Sequence, residues 1–212
     1  MTMQRDKFEG IPIGVGRSEG FEARMRRIRA EMLPAASLRT GADSPWFAVR
    51  VMSGREIAVN RALEEAGIEA VVPMRMGPEY RRRGRVIPAS QIPVMTGYVL
   101  VRFFASDEAF LAIRGIEYVI DVVGGCLSPH RIPDAEVKRF KALADDGQLN
   151  WERPVRCFKK GEKVLVSDGP FAKFTGKIIT CRNDGKGDAV VEMTLFSGTV
   201  PVLMPLAILE KV

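Results

Sequence analysis

Four arginines stand within five residues at Arg81-Arg82-Arg83-Gly84-Arg85. A guanidinium is a permanently charged planar fork whose donors match the oxygens of a phosphate two at a time. The chemistry this run offers is anion binding, and four such groups cannot be buried together. Pro78 and Pro88 bracket the run, so a hairpin or exposed loop is expected there. Groups for bond making are sparse. The one histidine, His130, follows Pro129 with no nucleophile motif nearby. Glu64 and Glu65 fall on a predicted helix and read as its solvated face. No glycine-rich nucleotide-binding run of either common kind occurs. Cys126, Cys157 and Cys181 are odd in number and lack C-x-x-C spacing, which disfavours a disulfide framework or a structural zinc site and fits a reducing compartment. The expectation is a binding protein, not an enzyme, with no cofactor and no metal.

Two apolar constellations could hold a macromolecule. Trp46, Phe47, Met95 and Tyr98 fall in or beside predicted strands, where successive side chains point to opposite faces. One of Trp46 and Phe47 is then core, and the other is free to face a partner. Leu195 and Phe196 end a second apolar strand just before Ser197-Gly198, at a tip. Phe171 and Phe174 read as core of the segment that contains them.

These residues need a scaffold, and 212 residues allow two small domains. Lys plus Arg is 32 against 26 for Asp plus Glu, a basic excess that suits a place near nucleic acid. No apolar run approaches the roughly 18 residues a membrane helix needs, and no hydrophobic core follows the first residues as in a secretion signal. A cytoplasmic protein, a monomer with no membrane partner, is expected.

Residues 1–44 read as an extension. A helix is predicted over 18–33, with Ser18 as N-cap, Phe21, Met25, Ile28 and Met32 at helical spacing, and Arg24, Arg26, Arg27 and Arg29 on its other faces. It is either packed on its own domain or an accessory arm toward nucleic acid or a partner. A linker is expected over 35–44. Residues 45–145 alternate: strands over 46–51, 68–75, 97–104 and 117–123, and helices over 55–66, 107–114 (Ser106 as N-cap) and 134–144. That order predicts an α/β sandwich with helices against a mainly antiparallel sheet. Residues 146–157 are polar and Gly/Pro-punctuated, a linker across which the domains could move independently. In 158–212 short strands flank Asp168-Gly169-Pro170 and Phe196-Ser197-Gly198, which predicts a small all-β, SH3-like barrel. Gly176 opens a strand, where glycine signals a bend or a close approach. The fold class expected is α+β.

Gly161-Glu-Lys-Val-Leu-Val-Ser-Asp-Gly-Pro-Phe-Ala-Lys-Phe-Thr-Gly176 resembles the KOW motif of the bacterial NusG family of transcription elongation and antitermination factors. Pro45-Trp46-Phe47-Ala48-Val49-Arg50-Val51-Met52-Ser53-Gly54-Arg55-Glu56 resembles the opening of that family's N-terminal domain. Thr96-Gly97-Tyr98-Val99-Leu100-Val101 resembles its Pro-Gly-Tyr-Val-x-Val strand. Gly124-Gly125 and Ile132-Pro-Asp-Ala-Glu-Val137 also fit, so the resemblance spans about 45–212. It implies a factor whose residues 45–145 dock on the clamp helices of the largest RNA polymerase subunit through Trp46, Phe47, Met95 and Tyr98. Arg81, Arg82, Arg83 and Arg85 would touch DNA near the transcription bubble. The barrel would bind Rho or a small-subunit ribosomal protein through Leu195 and Phe196. The chain departs from the pattern at Met95-Thr96, and at Gly198 where an arginine is usual; with the N-terminal extension, this points to a specialised paralog. The alternative is an RNA-binding or ribosome-associated KOW protein that does not act on polymerase.

Overall fold

The computed structural model describes residues 20–212 except Ala42, Cys126, Pro154, Asn183, Phe196 and Ser197. The element order is α1 (Phe21–Leu38), β1 (Trp46–Val51), α2 (Glu56–Glu65), β2 (Glu69–Val71), β3 (Met74–Met76), β4 (Tyr80–Arg82), β5 (Arg85–Ile87), β6 (Gln91–Pro93), β7 (Tyr98–Arg102), α3 (Asp107–Gly115), β8 (Val119–Val122), β9 (Arg131–Ile132) and α4 (Asp134–Asp145). An antiparallel sheet runs β2-β7-β1-β8, with β9 also paired to β1.

Alternation along β1 and β7 sorts this sheet's side chains into two cores. Phe47, Val49 and Val51 join Val99 and Val101 on the helix side, where they meet Val59 and Leu63 of α2 and Ala109, Phe110 and Ile113 of α3. The rings of Phe47 and Phe103 lie 4.6 Å apart, and Phe110 stands edge-on to both. Each such side chain contributes about 1.5–3 kcal/mol when fully buried. Trp46 and Ala48 of β1, with Tyr98 and Leu100 of β7, face the other way. α3 begins as its sequence predicts: the Ser106 hydroxyl accepts from the Ala109 amide.

The C-terminal quarter is a second antiparallel sheet, β13-β12-β11-β10-β14, formed by β10 (Lys163–Val166), β11 (Thr175–Cys181), β12 (Asp188–Leu195), β13 (Gly198–Pro205) and β14 (Leu209–Lys211). At Gly176 a Cβ would lie 2.5 Å from Val191 Cγ1 and 2.8 Å from the Glu192 carbonyl oxygen, so the strands close where only glycine fits. The α+β class and the strand-rich C-terminal unit agree with the sequence reading.

Three local expectations change. α1 runs on through Pro34 to Leu38, into the stretch read as a linker, and Leu33 packs on the helix-side core. Ser18 lies outside the described residues, and Gly20 stands at the N-cap. The single strand expected over 68–75 is two, β2 and β3, in separate sheets, because Pro73 between them has no amide for a continuous ladder. The third change concerns 146–157, which is not an open tether. Leu149 is buried; the Trp151 amide donates to the Met76 carbonyl, and the Gly187 amide donates to the Trp151 carbonyl. Among the described residues, no helix is long and apolar enough to cross a membrane.

Candidate functional site

The aromatic face of the N-terminal sheet is not open. Trp46, Ala48, Val94, Met95, Tyr98 and Leu100 share one apolar cluster with barrel residues, among them Phe158, Phe171 and Leu195. The Tyr98 ring stands edge-on to Phe171, centroids 5.1 Å apart. Burial pushes the Tyr98 phenol up, with Arg50 opposing, so its hydroxyl stays neutral. Trp46 is held from its own side: its indole Nε1 donates to Asp134 Oδ1 at 3.0 Å, and the Arg102 guanidinium lies 4.8 Å from its ring centroid while pairing with the same carboxylate. Hydrogen bonds from Lys138 and Trp46 hold the Asp134 carboxyl below the usual range. Trp46, Met95 and Tyr98 are therefore brought together on one face. Phe47, expected with them, points to the opposite face and is fully buried under the helices. Both members of the Trp46–Phe47 pair are thus core, because the barrel covers the face on which a lone domain would expose Trp46.

The motif residues beside this face hold each other. Glu56, 2% exposed, accepts the Gly97 amide on Oε1 at 2.6 Å. The Ser-Gly-x-Glu and Gly-Tyr segments, far apart in sequence, meet through that bond, which fixes the start of β7 and so the direction of Tyr98.

Charges rim the seam between sheet and barrel. Arg75 Nη2 meets Asp188 Oδ1 at 2.5 Å with both side chains nearly dry, and Arg75 Nη1 donates to the Leu149 carbonyl at 3.1 Å. Burial raises the Asp188 carboxyl, and Arg75 pulls against it. Arg139 pairs with Asp168 at 2.5 Å and Lys173 with Glu136 at 3.6 Å; in each pair the cation is exposed and the carboxylate is largely covered. His130 stands edge-on to Phe174 and bonds the Pro170 carbonyl; burial lowers its pKa, which favours the neutral ring. Residue type and spacing do not single out Arg75, Asp188 or Trp151. Two of them still carry a signal: an arginine inside an apolar strand, and a tryptophan inside a polar linker.

The arginine run forms the predicted hairpin, β4 with β5, in register Tyr80↔Ile87, Arg81↔Val86 and Arg82↔Arg85. Arg83 and Gly84 make the turn with φ of 50° and 77°, both in the left-handed region that a two-residue hairpin turn requires. The hairpin is exposed apart from Ile87, which is partly buried, and among the described residues none of its four arginines makes an ion pair. At the barrel tip, Leu195 pairs with Gly198 and is buried, lining with Tyr98 and Val200 a cavity of about 200 Å³ in the seam. Phe196 lies outside the described residues.

Comparison with known proteins places this geometry. The family model for NusG, transcription termination factor nusG, matches residues 44–141. The NusG transcription termination/antitermination protein of Yersinia pestis is 31% identical over 180 residues, spanning 78% of this chain and 95% of that protein. Its counterpart in Pseudomonas aeruginosa is 30% identical, over 79% of this chain and 98% of that protein. A solved structure concerning domain interaction in Thermotoga maritima NusG is 27% identical, covers 80% of this chain and 98% of that one, and has a TM-score of 0.40. With its aromatic strand, Glu56–Gly97 junction and C-terminal barrel, the chain belongs to the NusG family of transcription termination/antitermination proteins.

Proposed function

We propose that this chain acts in transcription elongation and antitermination, with residues 45–145 as the domain that docks on RNA polymerase and 158–212 as a KOW domain that recruits a further factor. The docking surface is the face of Trp46, Met95 and Tyr98, set against the clamp helices of the largest subunit. Arg81, Arg82, Arg83 and Arg85 reach DNA near the bubble, where contacts to phosphate position without reading sequence. Binding the paused and active enzyme unequally would shift that equilibrium away from pausing. The tethered barrel would raise the local concentration of its partner, Rho or a small-subunit ribosomal protein.

The observation that carries this reading is the face itself. Aromatic and sulfur side chains of the kind that anchor interfaces are gathered on one sheet surface, and Tyr98 packs there against a separate barrel rimmed by ion pairs. Polymerase and barrel would compete for that face, so apparent affinity would fall with the fraction of molecules whose barrel is undocked.

Removing Trp46 or Tyr98 empties the core and cannot test docking cleanly. Arg139→Glu changes an exposed side chain that pairs with the buried Asp168, so it loosens the seam without emptying the apolar core. Binding of the full-length protein to core RNA polymerase is expected to tighten several-fold in that variant. Failure of both wild type and variant to bind sinks the docking reading and moves the weight to RNA or the ribosome.

A further inference from the structure

We propose that the β4–β5 hairpin is a prong for single-stranded nucleic acid, in which Arg82 and Arg85 seat one phosphate and Tyr80 stacks on the adjacent base. The inference deepens the nucleic-acid role proposed above for the arginines and rests on it.

The register puts Tyr80, Arg82, Arg85 and Ile87 on one face of the hairpin and Arg81 with Val86 on the other. Arg82 and Arg85 are direct cross-strand neighbours, with Cβ atoms about 4.5–5.5 Å apart. Like charges in that position destabilise the pair, and no acidic side chain forms an ion pair with either among the described residues. A two-stranded ribbon standing alone is marginal in water. An anion between the two forks relieves the repulsion, and a phosphate fits both.

Tyr80 is on the same face, two residues from Arg82, about 7 Å along the strand. It is 52% exposed and has no ring or cation partner among the described residues. An exposed aromatic beside unpaired cations is the combination that binds single strands, with charge tracking the backbone and the ring taking a base. A duplex keeps its bases stacked and offers the ring nothing. Arg83 adds to the case. It holds a left-handed turn position that Asn or Gly would fill with less strain, so the tip carries a fourth cation at a conformational cost.

The test is fluorescence anisotropy of the full-length protein with a labelled, mixed-sequence DNA strand and with the blunt duplex of the same sequence, at low and physiological salt. Tyr80→Ala is expected to weaken strand binding about 5- to 150-fold, the range of base–aromatic stacking, and duplex binding less than about twofold. Tyr80→Trp retains strand binding. Arg82→Ala with Arg85→Ala weakens both probes and lowers the salt slope by about one. These side chains stand clear of both cores, so the melting temperature checks that every variant is folded. Equal losses on strand and duplex from Tyr80→Ala overturn the single-strand inference; so does no loss while the arginine pair still weakens both probes, and either outcome leaves the arginine–phosphate reading in place. Absence of wild-type binding to both probes at low salt overturns both.

Discussion

The seam under the barrel and the β4–β5 hairpin both carry arginines, and they treat them in opposite ways. In the seam, Arg75 faces Asp188 and donates to Leu149, and Arg139 faces Asp168. In the hairpin, Arg81, Arg82, Arg83 and Arg85 stand in water with no ion pair among the described residues. A cation that the fold has already paired holds two parts of one chain together. A cation the fold leaves unpaired, next to another of its own sign, is available to something outside the chain. Charge alone does not distinguish the two uses; burial and partners do.

The largest expected effect breaks the seam. Arg75→Ala leaves Asp188 buried without its counter-ion, which costs about 3–5 kcal/mol when a dry pair loses one member. Urea denaturation should show a loss of that order. Replacing both, Arg75→Met with Asp188→Leu, should recover most of it, since the burial penalty of the carboxylate disappears with the carboxylate. A loss below about 1 kcal/mol in the single variant would mean that the pair is solvated and that apolar contacts alone hold the barrel. The same truncation in the hairpin, Arg82→Ala, is expected within about 0.5 kcal/mol of wild type, as for exposed surface sites.

How far the sequence foretold this contrast depends on the range of the interactions. The hairpin was legible because its signals are local: two prolines, one glycine and a run of charge that cannot be buried. The alternation that splits Trp46 from Phe47 is equally local, and so is the Ser106 cap. The barrel strands were legible to within a residue or two, but β14 closing onto β10 was not, since three residues with one buried side chain leave no period to read. The seam was invisible. Arg75 and Asp188 are 113 residues apart in the chain, and nothing local to Trp151 says what it packs against. Only the docking of two finished units turns Tyr98 and Phe171 into partners, so from the sequence Trp46, Met95 and Tyr98 read as an open face and Phe171 as core of its own segment. That reading is right that the first three are apolar and gathered on one surface, and silent on what covers them.

A smaller effect sharpens the comparison from the hairpin side. Arg83→Asn relieves a left-handed arginine, which favours the hairpin by about 1 kcal/mol, and removes one phosphate contact. Slower amide hydrogen exchange in 80–87, together with weaker DNA binding, is the expected pair of results. Stability and binding then move in opposite directions, as they do where a local rule is broken for function. Tighter binding in the better-formed hairpin would mean that Arg83 serves the turn and not the ligand.

The smallest effect uses acid to separate the two regions. His130 sits in the seam with its pKa lowered by burial. A histidine whose folded pKa lies below its unfolded value, about 6.5, binds fewer protons in the folded state than in the unfolded state. Its contribution is fully present above about pH 6.5 and is lost as pH falls through the window between the two values, because protonation then favours unfolding. The seam should therefore weaken slightly from pH 7 to pH 5.5, by less than about 1 kcal/mol. His130→Phe keeps a ring against Phe174 and removes the titration, so its stability should be flat over that interval. The hairpin's exposed guanidiniums make no ion pair with the seam among the described residues, so direct single-strand binding should not follow the same pH course. A pH slope that survives His130→Phe would assign the acid sensitivity to carboxylates such as Asp188, and leave His130 a packing residue.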